Sequence, residues 1–84
     1  MLNATWLETF TTLCETGHFT RTAERLNMTQ PGVSQHRRKL EAQLGQPRIL
    51  REGKSVTLTP AGELVCETGR ARRREERALR ERID

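Results

Sequence analysis

Pro31 and Gly32 stand side by side near the start of a segment that otherwise has helical character. In the middle of a helix, proline costs about 3 kcal/mol and glycine about 1 kcal/mol relative to alanine. Both are tolerated in a first turn, because the N–H that proline lacks has no intrahelical partner there and its φ is already helical. Thr29, just before them, has the side-chain oxygen of a good N-cap. The sequence therefore predicts that a helix begins at Thr29.

The residues before Thr29 predict two shorter helices. The first lies between Asn3, a good N-cap, and Gly17, a good stop signal, and its apolar residues share one helical face: Trp6, Leu7, Phe10, Leu13 and Cys14. The second is expected to run from a Thr20 cap to Asn27, because asparagine tolerates the left-handed conformation that ends helices. Two helices joined by a turn of about three residues have the spacing of a helix-turn-helix.

The third helix has an arginine on its apolar face. Val33, Leu40 and Leu44 recur at helical spacing, and Arg37 occupies the position between them that the same period sends inward. An unpaired buried guanidinium is too costly, so the side chain should reach water or pair with Glu41 one turn later. We expect leucine at position 37 to stabilise the protein by filling one core position, worth about 1.5–3 kcal/mol.

The rest of the chain predicts a hairpin and a long helix. Residues 48–51 and 55–59 have the composition of short strands, and residues 52–55 between them suit a hairpin tip. A threonine–proline pair at 59–60 repeats the helix-start signal, and the helix should continue to the end of the chain. Alternating charges after position 70 allow i,i+4 ion pairs, which favour a solvated helix over a nucleic-acid-binding tail.

These elements predict a mainly α protein with a winged helix-turn-helix fold. Three helices and a two-stranded wing form a DNA-binding domain at residues 1–58, and residues 59–84 form one long helix. The chain carries a net charge of +4, and 13 of its 15 basic residues are arginine. Arginine is well suited to phosphate and guanine contacts, so this balance favours a polyanionic partner.

In a winged helix-turn-helix the second helix of the pair enters the DNA major groove by its N-terminal residues. Thr29 and the free N–H groups at that helix start suit a phosphate. Gln30 can offer a donor and an acceptor to adenine, and Pro31 can contact a thymine methyl group. The candidate DNA-binding residues are Thr29, Gln30, Pro31, Ser34 and Gln35 on bases or the nearest phosphates, and Arg38 and Lys39 on the backbone. The competing interpretation is an ordinary polar helix surface.

The motifs FT-x-x-A-x-x-L, TQP-x-x-S and LT-x-AG, spread over residues 7–69, closely resemble the DNA-binding domain of LysR-type transcriptional regulators. The resemblance implies binding of double-stranded DNA at the residues named above, although many members have arginine where this chain has Gln35. It also implies that the basic wing residues Arg51 and Lys54 approach the minor groove or backbone. The long helix of this family pairs two subunits, so a homodimer is expected through its few apolar residues: Leu64, Val65, Leu79 and Ile83.

Three departures from the family pattern affect these expectations. Family members continue into a ligand-sensing domain, whereas this chain stops at Asp84, so we expect an excised fragment whose effector would bind only a domain that is not present here. The family usually has an apolar residue at Arg37, and it has Leu-Phe where this chain has Arg48 and Ile49. Arginine at two positions that the family pattern assigns to the core is expected to disturb the packing.

Other classes of function find little support in the sequence. Cys14 and Cys66 lie 52 positions apart and are expected to be buried or idle thiols, and together with the two histidines they lack metal-ligand spacing. No cofactor, metal, signal peptide or membrane span is expected, and neither is an enzyme, since no nucleophile–base set is visible. We expect a cytoplasmic protein. Two rivals remain: a winged helix used only for protein contact, and a stand-alone DNA-binding regulator without a sensor.

Overall fold

The computed structural model describes residues 1–46, 48–53 and 55–84, and it has the predicted mainly α, winged helix-turn-helix architecture. Three helices precede a two-stranded antiparallel wing, and a long fourth helix follows it. The elements in chain order are α1 (Ala4–Thr16), α2 (Phe19–Leu26), α3 (Gln30–Leu44), β1 (Leu50–Arg51), β2 (Thr57–Leu58) and α4 (Pro60–Ile83).

Most of the helix ends are where local sequence signals place them. The Asn3 side chain accepts a hydrogen bond of 3.0 Å from the Trp6 N–H at the start of α1. The residues that end the first three helices, Gly17, Asn27 and Gly45, all have the left-handed conformation. These predictions are confirmed because each depends only on residues within one turn of the helix end.

The predicted start of α2 is wrong by two residues. The N-cap is His18, whose backbone is extended, and Thr20 lies inside the first turn rather than capping it. The hydroxyls of Thr16 and Thr22 both donate to the His18 carbonyl, at 3.0 and 2.8 Å, and fix the chain at this point. Starting at Phe19 also lets its ring pack against the core. The Thr20 hydroxyl is therefore free for a contact outside α2.

The hydrophobic core lies between α1, α3, the wing and the first half of α4. Its central side chains have at most 3 % exposure and are Leu7, Phe10, Leu13, Val33, Leu40, Ile49, Leu50 and Cys66. Four buried threonines, which sequence reasoning did not assign to the core, accompany them: Thr9, Thr11, Thr12 and Thr22. Their hydroxyls donate to carbonyls four residues earlier, so they are buried with their polar groups satisfied.

The wing has two short strands and lies next to the turn that joins α1 to α2. Leu50 pairs with Leu58 and Arg51 with Thr57, so both strands are shorter than predicted. The Val56 N–H donates to the Gly17 carbonyl at 3.2 Å. The expectation that Arg48 occupies a core position is wrong, because Arg48 is exposed. Its neighbour Ile49 is fully buried instead and supplies the apolar side chain.

The first half of α4 packs on α1. A Cβ at Gly69 would overlap the hydroxyl of Thr11, so the two helices approach each other closely there. Arg73, one turn later, donates to Glu8, to Glu15 at 2.6 Å and to the Thr12 hydroxyl at 2.8 Å. The hydrogen bond to Glu8 is the largest of the effects that raise the pKa of the Arg73 guanidinium above its ordinary value.

The four residues of the dimer prediction differ in burial. Val65 is only 8 % exposed and packs in the core of its own chain, so it leaves little side-chain surface for a second subunit. The helical period explains this, because Val65 shares one face of α4 with Cys66 and Gly69, which are both buried against α1. The other three predicted residues, Leu64, Leu79 and Ile83, are exposed.

The two cysteines are joined, which corrects the expectation of free thiols. Cys14 of α1 and Cys66 of α4 form a disulfide, and their Cα atoms are 6.4 Å apart, within the range for such a bond. Spacing in the sequence could not predict the pair, because it depends on how α4 lies on α1.

Within the described ranges, no cluster of metal-binding side chains occurs and no helix has both the length and the apolar character that a membrane span requires.

Candidate DNA interface

The start of α3 presents polar groups on one arc of the helix, which we call the outer arc and which consists of Thr29, Gln30, Pro31, Ser34 and Gln35. The Thr29 side chain accepts a hydrogen bond of 3.0 Å from the Gly32 N–H, which is the predicted cap. Gln30, Pro31 and Gln35 are exposed and Ser34 is half-buried. The opposite face is occupied by the fully buried Val33 and Leu40, so the backbone is fixed while these polar side chains face outward.

Gln30 is held by a residue of the preceding helix. Its Nε2 donates to the Thr20 Oγ1 at 2.5 Å, across the turn that joins α2 to α3. Sequence reasoning missed this contact, because it assigned Thr20 to the cap of α2. The amide of Gln30 therefore has a defined direction before any ligand binds.

The basic residues of α3 have two kinds of partner. The Arg38 Nη1 donates to the Ser34 Oγ at 2.8 Å, so Arg38 lies one turn beyond the outer arc. The Lys39 Nζ lies 5.6 Å from the centre of the Trp6 ring, within range of a cation–π contact. Both basic side chains remain exposed. Both positive charges are therefore at the surface of α3.

Arg37 pairs with carboxylates, as the sequence predicted for Glu41. The Arg37 Nη1 lies 3.2 Å from the Glu41 Oε1, and its Nη2 lies 3.7 Å from the Glu52 Oε2 in the wing. Glu41 is 6 % exposed, and its second oxygen accepts from the Ile49 N–H at 3.1 Å. The Arg37 Nε is buried and meets no acceptor among the described residues. Arg37 thus joins α3 to the wing.

His36 lies on the inner side of α3, facing α1. Its Nδ1 is 2.9 Å from the Thr9 Oγ1. Burial, and secondarily the positive charge of Lys39, lowers the pKa of His36 below its ordinary value. A neutral His36 is therefore favoured at neutral pH, and we assign it to packing between α1 and α3.

Two wing residues, Arg51 and Lys54, are predicted to contact DNA, and the structure describes one of them. Arg51 is exposed on β1, and Lys54 lies outside the residues that the structure describes. A shallow cleft of about 200 Å³ lies between the start of α3 and the wing, and Gln30 and Thr20 line it together with Glu52 and Gly53. The wing is therefore next to the outer arc of α3.

A family sequence model matches most of this chain. The model described as "Bacterial regulatory helix-turn-helix protein, lysR family" matches residues 4–63. The chain is 45% identical over 64 residues to the HTH-type transcriptional regulator XapR of Escherichia coli. This alignment covers 76% of this chain and 22% of XapR. It is 48% identical over 59 residues to the uncharacterised HTH-type transcriptional regulator YxjO of Bacillus subtilis, covering 70% of this chain and 20% of YxjO.

Solved structures show the same architecture. Vibrio fischeri DarR, crystallised in complex with DNA, superposes with a TM-score of 0.85 at 32% identity over 99% of this chain and 28% of DarR. The sequence matches cover 19% to 25% of each curated relative, so this chain spans only about a fifth to a quarter of their length.

Proposed function

Because this chain belongs to the LysR family of bacterial helix-turn-helix transcriptional regulators, we propose that the outer arc of α3 reads its DNA site. Gln30 and Gln35 supply amide groups for base edges, Pro31 contacts a thymine methyl group, and Ser34 completes the set. Thr29 and the free N–H groups of the first turn bind a phosphate. The observation that carries this proposal is the exposure of Gln30, Pro31 and Gln35 on a helix whose other face is buried.

The positive groups around the arc position the protein on the DNA backbone. Arg38 and Lys39 are exposed on α3, and Arg51 is exposed on β1. Lys54, which the resemblance assigns to the wing tip, completes this set. Such contacts raise affinity for any sequence and fix the register without reading bases. In this proposal the winged domain of residues 1–58 carries the whole DNA contact.

Residues 59–84 pair two copies of the chain on a dyad-symmetric site. Leu64, Leu79 and Ile83 support this part of the proposal, because they are large apolar residues with exposures of 65 %, 58 % and 74 %. The helix around the last two is otherwise charged and leaves them no partner within the described part of this chain. Replacing Leu79 and Ile83 with alanine should shift the sedimentation of the chain toward monomer, whereas Glu81→Ala should not. An unchanged dimer would place the contact elsewhere.

The remaining parts of the proposal concern the whole regulator. The relatives are several times longer than this chain, and we place effector binding in the part of such a regulator that lies outside these residues. We also propose that the protein acts in the bacterial cytoplasm, where its DNA is. We assign no catalytic step to the described residues.

Selection of bound sites from random duplex DNA is the experiment that tests this function. A steep fall of affinity with salt between about 50 and about 200 mM would separate a DNA-binding domain from a winged helix that contacts only proteins. Gln30→Ala should then weaken binding to the selected site by about 1–3 kcal/mol and spare random DNA. An equal loss on both DNAs would assign Gln30 to the backbone.

A further inference from the structure

Gln30 has a partner that no base-reading role requires. Its Nε2 donates to the Thr20 Oγ1 at 2.5 Å, although the two residues are ten positions apart and lie on different helices. Both residues are exposed. Thr20 does not cap α2, and among the described residues it makes no other side-chain hydrogen bond. The contact therefore uses a hydroxyl that has no other task within the described structure.

This hydrogen bond leaves Gln30 with the groups that a base edge needs. A glutamine amide has two N–H donors and one carbonyl acceptor, and Thr20 takes one of the donors. One donor and the acceptor remain, which is the pair that binds N7 and N6 of adenine. In the structure the nitrogen end of the amide faces Thr20, which leaves the carbonyl end for a base edge. The amide is thus oriented as well as satisfied.

We infer that Thr20 is a positioning residue, which holds the Gln30 amide in the orientation that discriminates between base pairs. The inference rests on the proposed role of Gln30 at a base edge. A long flexible side chain loses rotamer freedom when it binds, and fixing it beforehand removes part of that loss. Loss of the Thr20 hydroxyl should therefore lower affinity for the selected site about two- to tenfold, with a smaller effect on random DNA.

The competing role for Thr20 is a direct contact between its own hydroxyl and a phosphate. Thr20 lies in the first turn of α2 and is exposed, so this alternative makes a definite prediction. A phosphate contact would be lost equally on every DNA sequence, and it would be lost whether or not Gln30 is present. The two roles therefore differ in how the effect of Thr20 depends on Gln30.

A double-mutant cycle on the full chain distinguishes these roles. Thr20→Val removes the hydroxyl with little change of shape, and Thr20→Ser keeps it. Thr68→Val, at an exposed threonine of α4, is the matched surface control. Affinities of the wild type, Thr20→Val, Gln30→Ala and the double variant are measured on the selected site. Gln30→Ala first identifies the base pair that it no longer discriminates. The same affinities are then measured on sites in which each alternative base pair replaces that one. Thermal melting of each variant checks the fold.

We expect Thr20→Val to reduce discrimination at that base pair in wild type and to have no further effect in Gln30→Ala. Thr20→Ser should behave as wild type. Equal losses from Thr20→Val with and without Gln30 would overturn the inference and leave the role of Gln30 intact. If Gln30→Ala relaxes no base pair, the proposed role of Gln30 is wrong and this inference is wrong with it.

Discussion

Two helices of this chain begin with almost the same local sequence, and they use it on different surfaces. α3 is capped by Thr29 and has glycine at position 32, and α4 is capped by Thr59 and has glycine at position 62. In both, the threonine side chain accepts from the glycine N–H, at 3.0 and 3.2 Å, and a proline lies in the first turn. The start of α3 is largely exposed, whereas Gly62 is buried.

The difference lies in what each glycine faces. A Cβ at Gly32 would lie 3.1 Å from its own capping oxygen and 3.4 Å from the flexible end of Met28. A Cβ at Gly62 would overlap the carbonyl oxygen of Ile49, which is backbone and cannot move aside without displacing the end of β1. The same motif therefore starts a helix in both places. Its surroundings decide whether that start is available to a ligand or is part of the core.

Reducing the disulfide tests how far the packing of the buried half of α4 depends on a covalent link to α1. Of the changes considered, it should have the largest effect on the free energy of unfolding. Cys14 and Cys66 are 52 positions apart, and cross-links of this kind contribute about 2–4 kcal/mol. We expect dithiothreitol to lower the free energy of unfolding in urea by about that amount. DNA affinity of the folded protein should not change, because neither cysteine is on the outer arc of α3.

The matched control for reduction is the variant with alanine at both Cys14 and Cys66. Its stability should not respond to dithiothreitol, and it should equal that of the reduced wild type to within about 1 kcal/mol, the scale of two small core changes. A wild-type protein whose stability is the same with and without reductant would contradict the link.

Gly62→Ala and Gly32→Ala together test the comparison directly. Gly62→Ala forces α4 and β1 apart, and we expect a loss of about 3 kcal/mol, the upper end for overpacking. Gly32→Ala should change stability by less than about 1 kcal/mol, because a gain in helix propensity offsets its close contact with Thr29. It should instead weaken DNA binding by adding bulk to the outer arc. Equal destabilisation by the two changes would show that the two helix starts are equally packed.

The sequence predicted the parts of this comparison that depend on near neighbours. Thr29 and Thr59 cap their helices as expected, since a cap involves residues within one turn. The contact of Gly62 with Ile49 and that of Thr20 with Gln30 could not be predicted, because each depends on the distance between separate elements.

The same limit applies to the candidate site. Its outer arc followed in part from the helical period, which sends Gln35 outward once Val33 and Leu40 face inward, whereas Gln30 is exposed as the first residue of α3. The orientation of the Gln30 amide did not follow from that period, because it is set by α2. Periodicity therefore predicts which side chains face a partner, and tertiary contacts decide how they are held.

Arg37→Leu tests whether α3 can be buried more fully, as the start of α4 is. The structure reverses the expectation from the sequence, because Arg37 is the partner of the buried carboxylate of Glu41. Burying leucine gains at most about 1.5–3 kcal/mol, whereas leaving a buried charge without its partner costs about 3–5 kcal/mol. We expect a net loss of about 1–2 kcal/mol in urea unfolding.

The double variant Arg37→Leu/Glu41→Gln separates the charge effect from the shape effect. Glutamine keeps an acceptor for the Ile49 N–H and carries no charge, so most of the lost stability should return. If Arg37→Leu alone is more stable than wild type, the ion pair contributes less than its burial indicates. A large loss of DNA affinity at unchanged stability would instead place Arg37 on the DNA-facing side of α3.

The capping threonines provide the smallest and most sensitive comparison. Thr29→Ala and Thr59→Ala each remove one side-chain cap, and each should lower the free energy of unfolding by about 1 kcal/mol. Thr59→Ala should cost slightly more, because the Thr59 hydroxyl also lies 3.3 Å from the Arg48 carbonyl, to which it donates. Only Thr29→Ala should weaken DNA binding, since only that threonine lies at the outer arc. Serine at either position keeps the capping oxygen and is the control. If Thr59→Ala weakened DNA binding as much as Thr29→Ala did, the two helix starts would not be divided between a ligand surface and the core.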